Sequence, residues 1–294
     1  MEMRSPAEER PRVLGIIGWP VGHSLSPVMH NAAFQHEGMA CHYAAFPVAP
    51  ADLPAALAGV RALDLLGLNV TIPHKEAVIP LLDEVAPSAK QLGAVNTIVN
   101  RGGRLVGYNT DGWGFISSLE EAGVNPAGMQ AVVLGAGGAA RAVAVHLALS
   151  GASRIIITNR TLQRAVTLAK LVSQVVPGTV VTAAGAGSDE ERRALSQADL
   201  VVNCTPLGMH PEQVDLTPVE EIDLLPERAV VYDAVYRPEE TRLLREARQR
   251  GLHTISGLGM LIHQGACAWE YWFGRRGPVA VMEAVVRRAL EVRA

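Results

Sequence analysis

Three groups of residues in this 294-residue chain have types and spacings that could do chemistry. The first is Gly135-Ala136-Gly137-Gly138-Ala139-Ala140, which fits G-x-G-x-x-A between an apolar run (131–134) and a helical pattern. In such a context the first glycine permits a tight turn and the second lets backbone approach a pyrophosphate. The small residue at 140 lets helix and strand pack closely. Free N–H groups and the helix dipole favour an anion there. Dinucleotide binding is the reading preferred over an ordinary glycine-rich connection. The second group, Asn159-Arg160-Thr161 with Arg164 one turn on, ends the next strand pattern, where an NAD site would carry Asp or Glu for the ribose 2′-hydroxyl. No carboxylate stands there. Guanidinium groups match phosphate in a bidentate fork, so these residues point to a 2′-phosphate and hence NADP(H). The alternative is a pair of arginines on a solvated helix start. Thr161 could cap that helix.

The third group is spread over the first half. Ser24 and Ser26 flank the start of a helical pattern and could bind a carboxylate, or Ser26 could simply be its N-cap. Asn69 and Thr71 end a strand pattern, and alternation puts them on one face, with Lys75 just beyond. Asn96 precedes a hairpin and Asp111 follows it. Lys75 alone reads as a solvated charge and Asp111 alone as a helix cap. A Lys75–Asp111 pair would be a proton relay. The nine histidines form no HExxH or HxH, so no metal site is expected.

Short apolar runs alternating with helical patterns are expected to position these groups, as in an α/β protein with parallel sheets. Strands are expected at 12–18, 41–48, 65–72, 130–134, 154–158, 179–184, 200–203, 229–233 and 253–255, with a hairpin over 97–108. Helices are expected at 27–37, 50–61, 139–150, 161–175, 189–197, 239–250, 258–272 and 278–292, with short ones after Pro73 and Pro87. A turn-rich joint at 123–128 separates two kinds of organisation, and the β-α series after it reads as a doubly wound nucleotide-binding domain.

Composition narrows the function classes. Lys and Arg total 26 against 29 Asp and Glu, a net charge of −3, and aromatics are 4%. Neither a globally basic nucleic-acid binder nor an anionic membrane surface fits this balance. Stacking platforms for single strands are equally unexpected. Two long stretches without Lys, Arg, Asp or Glu, 13–36 and 171–188, are broken by Pro, Gly and polar residues and make poor membrane spans. Cys41, Cys204 and Cys267 are scattered and form no CxxC, so no disulfide framework is expected. The charged opening residues 1–11 read as a frayed tail without signal-peptide character, and the location expected is cytoplasmic. The aromatic cluster 269–273 reads as core packing rather than an interface.

Taken together, GHSLSP with MHNAAF, GLNVTIPHK, GAVNTIV, GYNTDGWG, VLGAGGAAR, TNRT, NCTPLGM, YDAVYRP and GLGMLIHQGA resemble the shikimate dehydrogenase family from about Val13 to the last helix. The resemblance implies reversible NADPH-dependent reduction of 3-dehydroshikimate to shikimate, in aromatic amino-acid precursor synthesis. It implies that Ser24 and Ser26 hold the substrate carboxylate, that Thr71, Asn96 and Asp111 bind ring hydroxyls with Asn69 nearby, and that Gln264 and Tyr236 reach the same substrate. Lys75 becomes the general acid/base and Asp111 its partner. Gly135, Ala136, Gly137, Gly138 and Ala139 cradle the pyrophosphate, and Asn159, Arg160, Thr161 and Arg164 read the 2′-phosphate. Thr205, Ala234 and Gly257 flank the nicotinamide. Relatives often carry a larger residue at the position of Ala234.

The fold class expected is therefore α/β in two domains. An N-terminal substrate domain, residues 1–111 completed by C-terminal helices 262–294, accompanies a Rossmann NADP-binding domain, 112–261, with the active site in the cleft between them. Alternatives are a quinate/shikimate or aminoshikimate dehydrogenase and, in another class, a non-catalytic NADP-binding sensor. Ser26 rather than Thr, and Arg160, favour shikimate with NADP, and the retained Lys75 and Asp111 disfavour the sensor. The partner expected is a small molecule, with no nucleic acid and no membrane, in a monomer or homodimer.

Overall fold

A computed structural model describes residues 11–209 and 213–292. The tail expected at the start lies almost wholly outside the described residues. The chain divides into two compact units. One comprises residues up to Thr110 together with those from Gly265 onward, and the other is Asp111–Gln264.

The first unit is built on β1 (Arg12–Gly18), β2 (Cys41–Pro47), β3 (Gly67–Val70), β4 (Glu84–Val85), β5 (Thr97–Arg101) and β6 (Arg104–Tyr108). Their order is β2-β1-β3-β5-β6-β4. β2, β1 and β3 run parallel, but β5 is antiparallel to β3 and β6 to β5. The sheet is thus mixed, not parallel as expected. A two-residue turn at 102–103 joins β5 to β6 and leaves no chain for a crossover, which a parallel pair requires. Helices α1 (Ser26–His36), α2 (Leu53–Ala62), α3 (His74–Ala77) and α4 (Pro87–Leu92) connect the strands, and α2 is preceded by a single 3-10 turn, Pro50–Asp52. Ile17, Leu57, Leu68, Val78, Ile98 and Leu105 are among the residues of one buried cluster, with the apolar side of α2 against the sheet.

The second unit opens with α5 (Asp111–Glu121), followed by β7 (Gln130–Leu134), α6 (Gly138–Leu149), β8 (Arg154–Asn159), α7 (Leu162–Val175), β9 (Val180–Gly185) and α8 (Asp189–Leu195). Then come β10 (Leu200–Asn203), β11 (Val230–Asp233), α9 (Arg242–Gln249), β12 (His253–Ser256) and α10 (Leu258–Phe273), whose last residues belong to the first unit, as does α11 (Val279–Glu291). The sheet order β12-β11-β10-β7-β8-β9 is parallel throughout and is the doubly wound dinucleotide-binding order. Its strands are continuous apolar runs, as burial on both faces demands: Val132, Val133, Ile155, Ile157, Val201 and Val231 are buried. β4 and α5 are not among the expected elements. β4 is only two residues long, and Gly112 and Gly114 disguise the helical period of α5. The helix expected over 239–250 begins only at Arg242, because Thr241 is its N-cap and accepts from the Leu244 N–H.

The aromatic residues near the end of α10 are core. Trp269 and Trp272 are buried, and Trp269 stacks on Phe34 with ring centroids 5.1 Å apart. Among the described residues all three cysteines are free, and no helix is long and apolar enough to cross a membrane.

Candidate functional site

One end of the first sheet collects the polar residues singled out above. β1 and β3 are parallel, so their C-terminal ends coincide. β5 starts, and β6 stops, at that same end, since Asn69 pairs with Thr97 and Thr97 with Tyr108. Ser24, Thr71, Lys75, Asn96 and Thr110 therefore leave the sheet together. Backbone bonds stitch these segments: the Thr71 N–H donates to Ile17 O (2.9 Å), the Val70 N–H to Asn96 O (2.8 Å), and the Val95 N–H to Lys75 O (2.8 Å). Lys75 sits in the first turn of α3 and is half-buried.

Two local expectations need correction. Ser26 is not the N-cap of α1 but its first helical residue, with Leu25 at the cap; the Ser26 N–H donates to Ser24 Oγ at 3.2 Å. The Ser24 hydroxyl thus takes the first helical N–H, and the helix starts one residue earlier than Pro27 at the first helical position would place it. Second, β3 ends at Val70, so Thr71 lies past the strand and does not share a strand face with Asn69. Thr71 is half-buried, whereas Asn69 is buried. Asn69 is wholly engaged: it accepts from Tyr43 Oη (2.6 Å) and donates to Asn96 O and Thr97 Oγ1 (both 3.1 Å). Asn96 Oδ1 accepts from the Thr110 N–H (2.8 Å) and Thr97 Oγ1 (3.0 Å), and its Nδ2 donates to Thr110 Oγ1 (3.0 Å).

In the second unit the strand ends are in register: Leu134 pairs with Thr158 and Asn203, Asn203 with Asp233, and Asp233 with Ser256. Every cofactor candidate lies just beyond one of these residues. Gly135 has φ +106°, and a Cβ there would sit 3.2 Å from Cys204 backbone and Thr205 Cγ2. Only glycine allows this turn and this approach. Around Gly137 the space is open, and α6 starts at the next residue with no side chain capping it. Open backbone at the N-terminus of a long helix suits a pyrophosphate, so the loop fits a dinucleotide. Ala136 is buried; Gly138 and Ala139 are half-buried. Gly257 abuts the Ala234 backbone so closely that a side chain there has no room.

At the end of β8, Arg160, Thr161 and Arg164 are exposed. Thr161 occupies the N-cap position of α7 but makes no capping bond with its side chain, contrary to expectation; instead Asn159 Nδ2 donates to Thr161 O at 2.9 Å. The loop after β10 is held by Asn203, whose Oδ1 accepts from Thr205 N–H (2.9 Å) and Thr205 Oγ1 (2.7 Å) and whose Nδ2 donates to Asp233 Oδ1 (2.9 Å). Asp233 also accepts from Val235 N–H (3.0 Å) and Thr241 Oγ1 (2.6 Å). Burial pushes its carboxyl up to about 6. Asn203, Asp233 and Thr241 brace these loops, and pattern reading missed them. For Asn203 and Asp233 the signal was a polar residue at the end of an otherwise apolar strand, whereas Thr241 is the N-cap of α9.

Asp111 is the buried first residue of α5, and Gln264 is half-buried on α10. α5 and α10 meet at Gly114, where a Cβ would lie 2.8 Å from Gln264 and Met260 backbone. The Gln264 amide donates to Leu261 O at 2.8 Å. Tyr236 is half-buried in the loop after β11. Of the substrate candidates, then, Ser24, Ser26, Asn69, Thr71, Lys75 and Asn96 belong to the first unit, and Asp111, Tyr236 and Gln264 to the second.

Comparison with known proteins follows this division. Residues 16–98 match the family model for the shikimate dehydrogenase substrate binding domain, 119–209 that for shikimate / quinate 5-dehydrogenase, and 257–287 that for the shikimate 5′-dehydrogenase C-terminal domain. The chain is 63% identical over 288 residues, 98% of each chain, to the shikimate dehydrogenase (NADP(+)) of Symbiobacterium thermophilum. It is similar to a crystal structure of shikimate 5-dehydrogenase from Thermus thermophilus in complex with NADP(H) and shikimate (TM-score 0.85, 39% identity, 95% of this chain and 100% of that one). It is also similar to quinate dehydrogenase from Corynebacterium glutamicum in complex with NAD (TM-score 0.85, 36% identity, 95% and 99%).

Proposed function

Because this chain belongs to the shikimate dehydrogenase family, we infer that it catalyses the reversible NADPH-dependent reduction of 3-dehydroshikimate to shikimate. The observation that carries this reading is one chain holding both a polar cluster at one sheet end and a dinucleotide-shaped strand-loop-helix. The 63%-identical relative named for NADP(+), and the arginines where an NAD site would carry an acid, support the choice of cofactor.

When bound, the dinucleotide supplies the hydride. The chain's own residues bind, orient and protonate. Ser24 and Ser26, at the N-terminus of α1, take the substrate carboxylate, where helix N–H groups add to the hydroxyls. Thr71, Asn96 and Asp111 take ring hydroxyls, with Tyr236 and Gln264 completing recognition. Asn69 acts through Asn96 and Thr97, since its own donors and acceptor are spent. Lys75 stabilises the negative charge that develops on the carbonyl oxygen and delivers a proton to it. Asp111 keeps the ammonium charged and oriented. Gly135, Ala136, Gly137, Gly138 and Ala139 receive the pyrophosphate, Asn159, Arg160, Thr161 and Arg164 the 2′-phosphate, and Thr205, Ala234 and Gly257 the nicotinamide. The working form is a cytoplasmic monomer or homodimer, which sedimentation of the purified protein tests.

NADP(+) and NAD(+) reduction followed by absorbance, with shikimate and quinate in turn, tests the assignment. Shikimate with NADP(+) is expected to give the highest kcat/KM. Dominant quinate activity with NAD(+) would overturn it in favour of a quinate-type enzyme.

A further inference from the structure

The amide of Asn96 can face a ligand in two ways, with oxygen or with nitrogen, and a ring hydroxyl distinguishes them. The chain of bonds behind it decides which. Its oxygen is turned to the Thr110 N–H (2.8 Å), a donor that cannot reverse, and to Thr97 Oγ1 (3.0 Å). The Thr97 hydroxyl has one hydrogen. That hydrogen is left for Asn96 because Asn69 presents Nδ2, a donor, to the same oxygen at 3.1 Å and so does not compete for it. Asn69 in turn presents nitrogen to Thr97 because the same nitrogen must face Asn96 O, an acceptor only, and the Tyr43 phenol holds the amide in that pose by donating to its oxygen at 2.6 Å. Rotating the Asn69 amide would set its oxygen against Asn96 O, now 3.1 Å from its nitrogen, and against Thr97 Oγ1. Tyr43, Asn69, Asn96, Thr97 and Thr110 are all buried, so water cannot repair a broken member.

Tyr43 itself has little freedom. Asn31 clasps its backbone from both sides, accepting from the Tyr43 N–H and donating to Tyr43 O, each at 2.8 Å. Its ring stacks on His30 with centroids 4.4 Å apart, and His30 is pinned by the Trp269 indole N–H donating to Nδ1 at 3.0 Å. The phenol is therefore aimed by rigid neighbours on α1 and α10.

We propose that Tyr43 is a positioning residue for substrate recognition, holding firm through Asn69 and Thr97 the orientation, fixed at one end by the Thr110 N–H, in which the Asn96 carboxamide meets a ring hydroxyl. This rests on the assignment of Asn96 to the substrate. Tyr43 touches no reacting atom. Its loss loosens an interaction made alike in ground and transition states, so it registers in KM rather than kcat.

The test is Tyr43→Phe, which keeps the ring and its stacking and removes only the hydroxyl, with Thr97→Val as a second break in the same relay. In each variant the KM for shikimate is expected to rise roughly five- to tenfold while kcat stays within about threefold. NADP(+) affinity, measured by quenching of intrinsic fluorescence, is expected to stay unchanged. Combining Tyr43→Phe with Thr97→Val should add little, since both cut one chain of bonds. An unchanged shikimate KM in a folded Tyr43→Phe enzyme, with Asn96→Ala still raising it, would overturn the proposal alone. An unchanged KM in Asn96→Ala would overturn the substrate assignment and the proposal with it. Equal loss of shikimate and NADP(+) affinity would assign Tyr43 a merely structural role and also overturn it.

Discussion

The backbone around Lys75 is pinned on three sides. The Val95 N–H donates to its carbonyl, the His74 N–H to Thr71 O, and the His74 ring to Val48 O at 2.7 Å. A backbone held this way fixes where the lysine side chain starts, and a misplacement of about 1 Å can cost about a hundredfold in rate. Lys75→Ala is accordingly expected to lower kcat by about a hundredfold or more, in the range of a positioned acid/base, with KM changing less. Steady-state kinetics check this, and near-normal kcat would remove Lys75 from the mechanism. The proposed partnership with Asp111 would have its own signature: Lys75→Ala and Asp111→Asn should be strongly non-additive, the double variant scarcely slower than the worse single one. Arg160 carries a different burden. It is exposed, and its expected contribution is one fork to a phosphate. Arg160→Ala should therefore raise the NADP(+) KM roughly tenfold or more and leave NAD(+) kinetics nearly unchanged. If both cofactors weaken equally, Arg160 does not read the 2′-phosphate.

At the scale of elements, the ends of β10 and β11 are tied by one buried carboxylate. Asp233 accepts from Asn203, Val235 and Thr241, but burial outweighs these bonds and raises its carboxyl from the ordinary 3.8 to about 6. The folded state thus binds a proton more tightly than the unfolded chain. Stability from this group is full below about pH 4 and is lost as pH rises towards 6, by up to about 3 kcal/mol. Asp233→Asn removes the titration. Its stability relative to the parent should improve as pH goes from 4 to 7, although the loops carrying Thr205 and Ala234 loosen at every pH. Urea unfolding at several pH values reads the difference, and parallel profiles would contradict a raised carboxyl. These elements also mark how far the sequence was legible. The apolar runs that became β7, β8, β10 and β11 were plain because strands buried on both faces must be continuous. The glycine loop was plain because Gly135 has no substitute there and Gly137 leaves its backbone open at the helix start. The supporting partners were not, since Tyr43 meets Asn69, and Asn203 meets Asp233, through sheet register that no local spacing encodes. In the first sheet the β5–β6 hairpin was legible from its Gly102-Gly103 turn, but that it joins the parallel strands through β3 was not, and β4 is too short to announce itself.

Across the whole molecule the chain leaves the first unit at Thr110, builds the second, and returns at Gly265. Each unit has a hydrophobic core of its own. The returning segment is not an appendage. Trp269 is fully buried, stacks on Phe34 and donates to His30, and Trp272 donates to Ile98 O at 3.0 Å on β5. Gly67 has no room for a side chain, because Ile98 O and the Trp272 indole press on it, and the end of Met29 packs onto Gly265. The first unit therefore cannot complete its core until the last thirty or so residues have been made, whereas the second closes on residues contiguous in sequence. Trp269→Ala should cost about 3–5 kcal/mol by opening a cavity, and that loss should fall on one unit. Expected is a low-temperature transition that shikimate no longer shifts, followed by a second transition that NADP(+) still raises, since ligand stabilises only the fold that binds it. Calorimetry with each ligand in turn distinguishes this from the alternative. A single transition, lowered as a whole and responsive to both ligands, would mean that the two cores unfold as one cooperative unit despite their separate clusters.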